Sequence, residues 1–181
     1  VSRGLGDVYK RQTLHNLEQA YILDLGKESN NRNIEYLSLA RMVAHKTYIS
    51  LELLSNRAKS ETLYDDDLIK GFLSTPQESY MMHQGEKFIE RFTPESYLSI
   101  IKGWQNFKIE QEDLNKLKDI ETLVISVDSD VCFYPDEQKE FLEILNNHEI
   151  KTTYATINST KGHDAFLLEP KLFENTLKNF L

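Results

Sequence analysis

Through the first two thirds of the chain the apolar positions recur at helical spacing, and only the last third carries short, dense, β-branched runs. Leu14, Leu17, Tyr21 and Leu25 lie three to four residues apart, so "LHNLEQAYILDL" predicts a short amphipathic helix packed through those four side chains. "GKESNNRN" breaks that pattern. From Ile34 to about Leu54, the residues Ile34, Leu37, Ala40, Ala44 and Thr47 form one stripe with neither Gly nor Pro to interrupt it, the pattern of a packed helix. "SETLYDDDLIKGFLSTPQ" is acidic and punctuated by Gly71 and Pro76, which predicts a loop or a short helix. "ESYMMHQGEKFIERF" predicts a further helix through Tyr80, Phe88, Ile89 and Phe92. It stops at Thr93-Pro94, where Thr93 suits a cap and Pro94 the first position of the next helix. That next helix, "ESYLSIIKGWQNF", is expected to bury Tyr97, Ile100, Ile101 and Trp104.

Near residue 120 the pattern changes. "IETLVISV", Ile120 to Val127, is a short β-branched run that predicts a strand buried on both faces, followed by the loop "DSDVCFYP". "PDEQKEFLEILNNH" opens with Pro135 and acidic residues that suit a helix N-terminus, then places Phe141, Leu142 and Leu145 inward. "KTTYATIN", Lys151 to Asn158, predicts a second strand, and "FLLEPKLFENTLKNFL" a closing helix bent or restarted at Pro170. Strand, helix, strand, helix with short connections reads as a right-handed parallel unit. Two strands leave edges that need neighbours, and the helical first two thirds cannot supply them. The expected architecture is therefore α/β: residues 119–181 as the last sheet unit of a larger protein, preceded by a helical insertion over 13–118.

Composition narrows the partners. The 181 residues, 40% hydrophobic, are enough to bury a core, and 21 basic against 29 acidic side chains give a formal net charge of −8. So acidic a surface argues against nucleic acid or an anionic membrane and leaves small molecules or other proteins as partners. Cys132 is the single cysteine, which excludes an intramolecular disulfide and a multi-cysteine metal site. No apolar run reaches membrane-spanning length and no signal-peptide core is present, so a cytoplasmic location is expected.

The first dozen residues stand apart. "VSRGLGDVYKRQ" is basic and glycine-bearing, with no apolar period. Read back into codons, Asp7 to Gln12 matches GATGTGTATAAGAGACAG, the transposase-recognised end of a sequencing adapter, and Ser2 to Gly6 continues it in frame. Residues 1–12 are therefore expected to be a non-native, adapter-like segment and are set aside from the fold reading.

Chemistry in a parallel α/β sheet gathers at the carboxyl ends of the strands. "SVDSDVCFYP" places Asp128 and Asp130 after the first strand, and "NSTKGHDAFL" places His163 and Asp164 after the second. An Asp that accepts from one imidazole nitrogen fixes the tautomer and frees the other nitrogen to take a proton from a hydroxyl, which Asp130 and His163 could do. Taken singly, each of these residues is more often a turn former or a helix cap. Together, at equivalent ends of adjacent strands, they favour catalysis.

"LVISVDSDVCFYPDEQKEFLEIL", "KTTYATINSTKGHDAFLLE", "LARMVAHKTYIS" and "ESYMMHQGEKFIERFTPESYL" together resemble the C-terminal part of the homoserine O-acetyltransferases, acyltransferases of the α/β-hydrolase fold. The likeness runs from about residue 14 to 181, and "GHDAFLLE" is its most specific element. It implies the last two parallel strands of that fold behind a helical lid, a triad acid at Asp130 with Asp128 as runner-up, and a triad base at His163. It implies too that the A-R-x-x-A-x-x-x-Y helix, here Ala40, Arg41, Ala44 and Tyr48, binds the amino-acid substrate. Seven residues at about 100° each bring Arg41 and Tyr48 to one face, an Arg fork suits a carboxylate, and Asp164 would hold the ammonium.

The family's nucleophile sits in a G-x-S-x-G elbow, and that motif is absent from these 181 residues. The implied reaction, in methionine biosynthesis, moves an acetyl group from acetyl-CoA to the hydroxyl of L-homoserine through an acyl-serine, with no bound cofactor and no metal. This chain by itself is expected to be inactive and poorly soluble, and the full-length protein a homodimer through its helical insertion. Rival readings are a succinyl donor from succinyl-CoA, serine as acceptor, an esterase of the same fold in which water replaces the acceptor, and a non-catalytic interaction fragment. His45 is expected to be a hydrogen-bonded core residue.

Overall fold

The structure, a computed structural model, describes residues 9–28, 33–58 and 76–181. Six helices come first: α1 (Lys10–Glu28), α2 (Asn33–Tyr48), α3 (Leu51–Ala58), α4 (Pro76–Ile89), α5 (Pro94–Asn106) and α6 (Gln111–Lys116). They are followed by β1 (Thr122–Val127), α7 (Pro135–Asn147), β2 (Thr152–Ile157), a 3-10 turn at Gly162–Asp164, α8 (Ala165–Leu168) and α9 (Lys171–Phe180). Most of "SETLYDDDLIKGFLSTPQ", Gly71 included, and the first eight residues of the adapter-like segment lie outside the described residues.

α2 is the axis of the helical layer and packs against α1 on one side and α4 on the other. Leu23, Leu37, Ala40, Tyr97, Leu98 and Ile101 form its core, with Phe88, Ile89 and Phe92 against them. Gly85 lets α4 approach α2 closely, because a Cβ there would run into Ser38. Thr93 caps α5 through a reciprocal box with Ser96, and Pro94 follows it, as the sequence predicted.

Several expectations for this layer need correcting. The helix expected over Ile34–Leu54 is two: Tyr48 ends α2, and the Ser50 hydroxyl accepts the Leu53 N–H at 3.1 Å to start α3. α1 begins at Lys10 rather than Leu14, and it does not bury the apolar stripe. Leu14, Leu17 and Tyr21 are 59%, 57% and 64% exposed, while Gln12, Asn16, Gln19, Leu23 and Gly26 face inward. Several polar groups on that inward face are hydrogen-bonded: Gln12 Nε2 donates to Asn16 Oδ1 at 3.3 Å, and the Tyr97 hydroxyl donates to Gln19 Oε1, while Asn16 Nδ2 is buried without a partner among the described residues. Ile34 and Ile100 are likewise more exposed than their spacing suggested, and Trp104 meets the Phe133 ring edge-on and stays partly exposed.

In the last third, β1 and β2 pair in parallel, from Thr122 against Thr152 to Val127 against Ile157. α7 crosses between them and buries Leu145 with Leu114, Val124 and Ile150. Val127, Ile157, Ala165 and Phe173 pack on the other side, and the chain does restart after Pro170. β1 is only partly buried at Thr122, Leu123 and Ile125, because β2 is its one partner among the described residues. Tyr9 lies edge-on to Phe133, and Arg11 makes a bidentate pair with Asp136 at 2.7 and 2.9 Å.

Candidate active site

β1 and β2 run side by side, so the loops that leave their carboxyl ends meet. In the β1 loop, Asp130 folds back in an Asx turn, and its Oδ1 accepts the backbone N–H groups of Cys132 and Phe133 at 2.7 and 2.9 Å. Its Oδ2 accepts from His163 Nδ1 at 2.9 Å. Asp130 is buried and its carboxylate accepts at both oxygens, so in the neutral imidazole the proton sits on Nδ1 and the lone pair on Nε2. The ring sits among Phe133, Phe166 and Tyr48, at centroid distances of 5.2, 5.8 and 6.4 Å. About 29% of the His163 side chain remains exposed.

Asp128 takes a different part. Its Oδ1 accepts the Ser159 N–H at 2.9 Å, which ties the β1 loop to the β2 loop without reaching the imidazole. Around this tie, the Ser129 hydroxyl donates to the Ser159 carbonyl and accepts the Gly162 N–H at 3.0 Å. The Ser159 hydroxyl donates to Glu169 Oε2 at 2.6 Å and accepts the Lys161 N–H at 3.0 Å. Sequence reasoning missed Ser129 and Ser159. The one available signal was a serine wedged between two loop aspartates, and small polar residues are too common in loops for that to discriminate.

Gly162 is where the helical layer meets the imidazole loop. Its φ is +70°, and a Cβ there would come within 2.8 Å of the Ser50 nitrogen and 3.0 Å of the Ile49 carbonyl carbon. Only glycine fits so close to the end of α2 at that dihedral. The Ser50 hydroxyl donates to the Thr160 carbonyl beside it. This contact holds Tyr48 next to His163.

The other residues singled out from the sequence converge on the same place. Arg41 and Tyr48 do share a face, with the guanidinium 5.0 Å from the Tyr48 ring and 4.9 Å from the Phe88 ring. Arg41 pairs with no carboxylate among the described residues. Burial raises the Tyr48 hydroxyl above its ordinary value, and the Arg41 charge opposes the rise. Burial also pushes the Asp164 carboxyl up, while the charges of Arg57 and Arg41, and that of His163 when it is protonated, pull it down. That half-buried carboxylate accepts no hydrogen bond from the described residues, so a free carboxylate adjoins His163 in sequence and a free guanidinium lies against Tyr48, the ring beside the imidazole.

His45, one turn from Arg41, is buried and its Nε2 lies 3.2 Å from the Tyr80 hydroxyl. Burial lowers it to about 4, helped by the charges of Arg41 and Arg57, so it is neutral. Cys132 is buried beside Asp130, and burial pushes its thiol up to about 12, which leaves it unreactive. Among the described residues no group of three or more His, Cys, Asp or Glu could hold a metal ion. No described helix is long and apolar enough to cross a membrane.

A parallel strand pair with an Asp after one strand, a His after the next and a helical layer ahead of them is an arrangement found in α/β-hydrolases, and comparison with solved structures places the chain in that fold. The homoserine O-acetyltransferase from Bacillus anthracis superposes with a TM-score of 0.71 at 15% identity, covering 96% of this chain and 48% of that one. Esterase E22 superposes at 0.75, also at 15% identity, covering 93% and 50%. No family model matches the sequence. Sequence relatives nonetheless include homoserine O-acetyltransferases, to which most of this chain is similar. The Pelagibacter ubique enzyme of that name is 35% identical over 165 residues, 87% of this chain and 44% of that protein. A homoserine O-succinyltransferase of Magnetococcus marinus is 36% identical over 151 residues, 80% and 38%. The chain spans less than half the length of the curated relatives it matches.

Proposed function

We propose that this chain carries the acid–base pair and the acceptor cradle of an enzyme that transfers an acyl group, acetyl in the first instance, from coenzyme A to the hydroxyl of L-homoserine, a step of methionine biosynthesis in the cytoplasm. The observation that carries the reading is the 2.9 Å bond from His163 Nδ1 to Asp130, which leaves Nε2 available beside Arg41, Tyr48 and Asp164. In the first half-reaction a serine hydroxyl loses its proton to His163 Nε2 and attacks the thioester carbonyl, and the thiol departs with that proton. In the second, His163 takes the proton of the acceptor hydroxyl, which attacks the acyl-serine and restores the serine. Asp130 keeps the imidazole oriented in both.

The two charged groups of the acceptor match the cradle. Arg41 receives the carboxylate through charge-assisted hydrogen bonds, Asp164 the ammonium, and Tyr48 adds a hydroxyl. No G-x-S-x-G occurs in the 181 residues, so the acyl-serine requires a serine from outside them, and the chain by itself does not acetylate homoserine. The exposed stripe of Leu14, Leu17 and Tyr21 supports pairing of two copies through the helical layer.

The test uses a protein that joins these residues to a nucleophile elbow. Arg41→Ala is expected to lower kcat/KM for homoserine about 100-fold, the loss of one charged pair of hydrogen bonds, while leaving hydrolysis of a neutral ester within a few-fold. Equal loss on both substrates favours an esterase in which water is the acceptor. An unchanged homoserine rate removes the substrate assignment.

A further inference from the structure

The acceptor cradle leaves one face of Arg41 unexplained. On that face Arg41, Gln84, Lys87, Phe88, Glu90 and Arg91 line a cleft of about 250 Å³. Gln84, Lys87, Phe88 and Arg91 follow one another at i, i+3, i+4 and i+7, so they stand along a single face of α4 and the turn that ends it. The lining holds three cations and one carboxylate, in a chain whose formal net charge is −8. Neither Lys87 nor Arg91 is ion-paired among the described residues. Unneutralised cations gathered on one wall of a cleft focus the field there and raise the local concentration of anions. Guanidinium and ammonium groups are also the side chains that bind phosphate oxygens by charge-assisted hydrogen bonds.

Arg41 stands between the cleft and the candidate active site. Its guanidinium lies against both the Phe88 ring, which lines the cleft, and the Tyr48 ring, and Tyr48 is the ring next to His163. A ligand with anionic groups at one end and a reacting carbonyl at the other could therefore rest in the cleft and reach the imidazole past Tyr48. An uncharged acyl ester would gain nothing from the cations.

We propose that this cleft is the phosphate subsite of the acyl donor, in which Lys87 and Arg91 hold the phosphate groups at the nucleotide end of coenzyme A while the thioester end extends past Arg41 toward His163. The assignment rests on the acyl-transfer reading, and it adds where the donor is held and by which residues.

Calorimetric titration of the chain with coenzyme A, dephospho-coenzyme A and phosphate-free pantetheine tests it at low ionic strength. Coenzyme A is expected to bind at least tenfold more tightly than pantetheine, with dephospho-coenzyme A between them. Lys87→Gln and Arg91→Gln should each weaken coenzyme A by about five- to tenfold and leave pantetheine unchanged. Glu90→Gln should move the affinity the other way. It keeps the test readable if either cation variant fails to give the wild-type circular dichroism spectrum. Equal affinity for coenzyme A and pantetheine, no binding of coenzyme A by the folded chain, or an unchanged affinity in the Lys87→Gln/Arg91→Gln double variant overturns the proposal. A parallel titration with homoserine, followed through the imidazole NMR signals of His163, reports on the acceptor reading separately. A silent His163 with phosphate-dependent coenzyme A binding overturns the acceptor and keeps the subsite, and a responsive His163 with phosphate-independent binding does the reverse.

Discussion

In the strand–helix–strand unit the polar groups of the two loops are tied to one another. Asp130 takes two backbone N–H groups and His163, Asp128 takes Ser159, and Ser129 and Ser159 together hold the turn into Gly162. In the helical layer Arg41 and Tyr48 are placed by rings and helix packing, and the Arg41 guanidinium faces Tyr48 and Phe88 with no carboxylate partner among the described residues. Under the proposed function, the contrast follows from what each region would have to do. A proton-transfer pair needs its hydrogen-bond geometry fixed before substrate arrives, whereas a cradle for a charged amino acid must leave its own charges unsatisfied until the ligand satisfies them. The two regions meet at one point, where Gly162 touches Ile49 and Ser50.

Removing the charge of the tied pair should give the largest effect. With Asp130→Asn the residue at 130 can present an amide N–H to the imidazole, which favours the tautomer with its proton on Nε2. In a protein completed with its serine, kcat is expected to fall by about 10⁴, the size of the wrong-tautomer penalty in Ser-His-Asp enzymes. Asp128→Asn keeps an oxygen for the Ser159 N–H and should leave kcat within a few-fold. Steady-state kinetics on the two variants decides between the carboxylates, and a greater loss for Asp128→Asn would exchange their roles.

Gly162→Val attacks the junction. A valine there carries the penalty of a left-handed φ for a β-branched residue and has to displace the backbone at Ile49 and Ser50. A loss of about 3 kcal/mol in urea unfolding is expected, with Tyr48 moved away from His163. Ser50→Ala removes only the hydroxyl that reaches Thr160 and starts α3, and should cost about 1 kcal/mol. If the two variants cost the same, the junction is a hydrogen bond rather than a close backbone approach.

The same contrast governs what the sequence revealed. The strand unit was readable because its signals are local: β-branched runs with a proline-started helix between them, and Asp and His after the strands. The capped start at Thr93-Pro94 was readable for the same reason. The helical layer was readable in its periods but not in its faces. Leu14, Leu17 and Tyr21 have the spacing of a core stripe, yet the face of α1 turned inward carries Gln12, Asn16 and Gln19, whose hydrogen bonds across to Tyr97 and along the helix replace apolar contact. Nothing in periodicity distinguishes a stripe that packs within the chain from one left for another surface. The break between α2 and α3 was missed because it depends on a serine acting as a cap after Tyr48, with no Gly or Pro to announce it. Ser129, Ser159 and Gly162 act through contacts between loops 30 residues apart in sequence, beyond any local pattern.

A further expected effect separates the two regions by pH. His45 belongs to the helical layer and is held at about 4 against an ordinary value of 6.5, by burial first and then by Arg41 and Arg57. Because the fold favours its neutral form, the unfolded chain binds more protons between these values, so stability rises with pH across that window. The contribution is complete above pH 6.5 and is lost as pH falls toward 4. A tenfold change in proton affinity is worth about 1.4 kcal/mol, and with part of the ring's surroundings open to solvent a total of about 2 kcal/mol is expected. Asp164 and Glu137, raised by burial, contribute with the opposite sign, since the fold favours their protonated forms. Comparing wild type with His45→Gln cancels them, because both proteins carry the same carboxyls and the glutamine can still meet the Tyr80 hydroxyl. Urea unfolding at pH 7 and pH 4.5 should therefore show a smaller loss of stability in His45→Gln than in wild type. Equal losses would mean that His45 is solvated and charged in the fold, and that the cation cluster of α2 and α3 already accommodates a third positive charge.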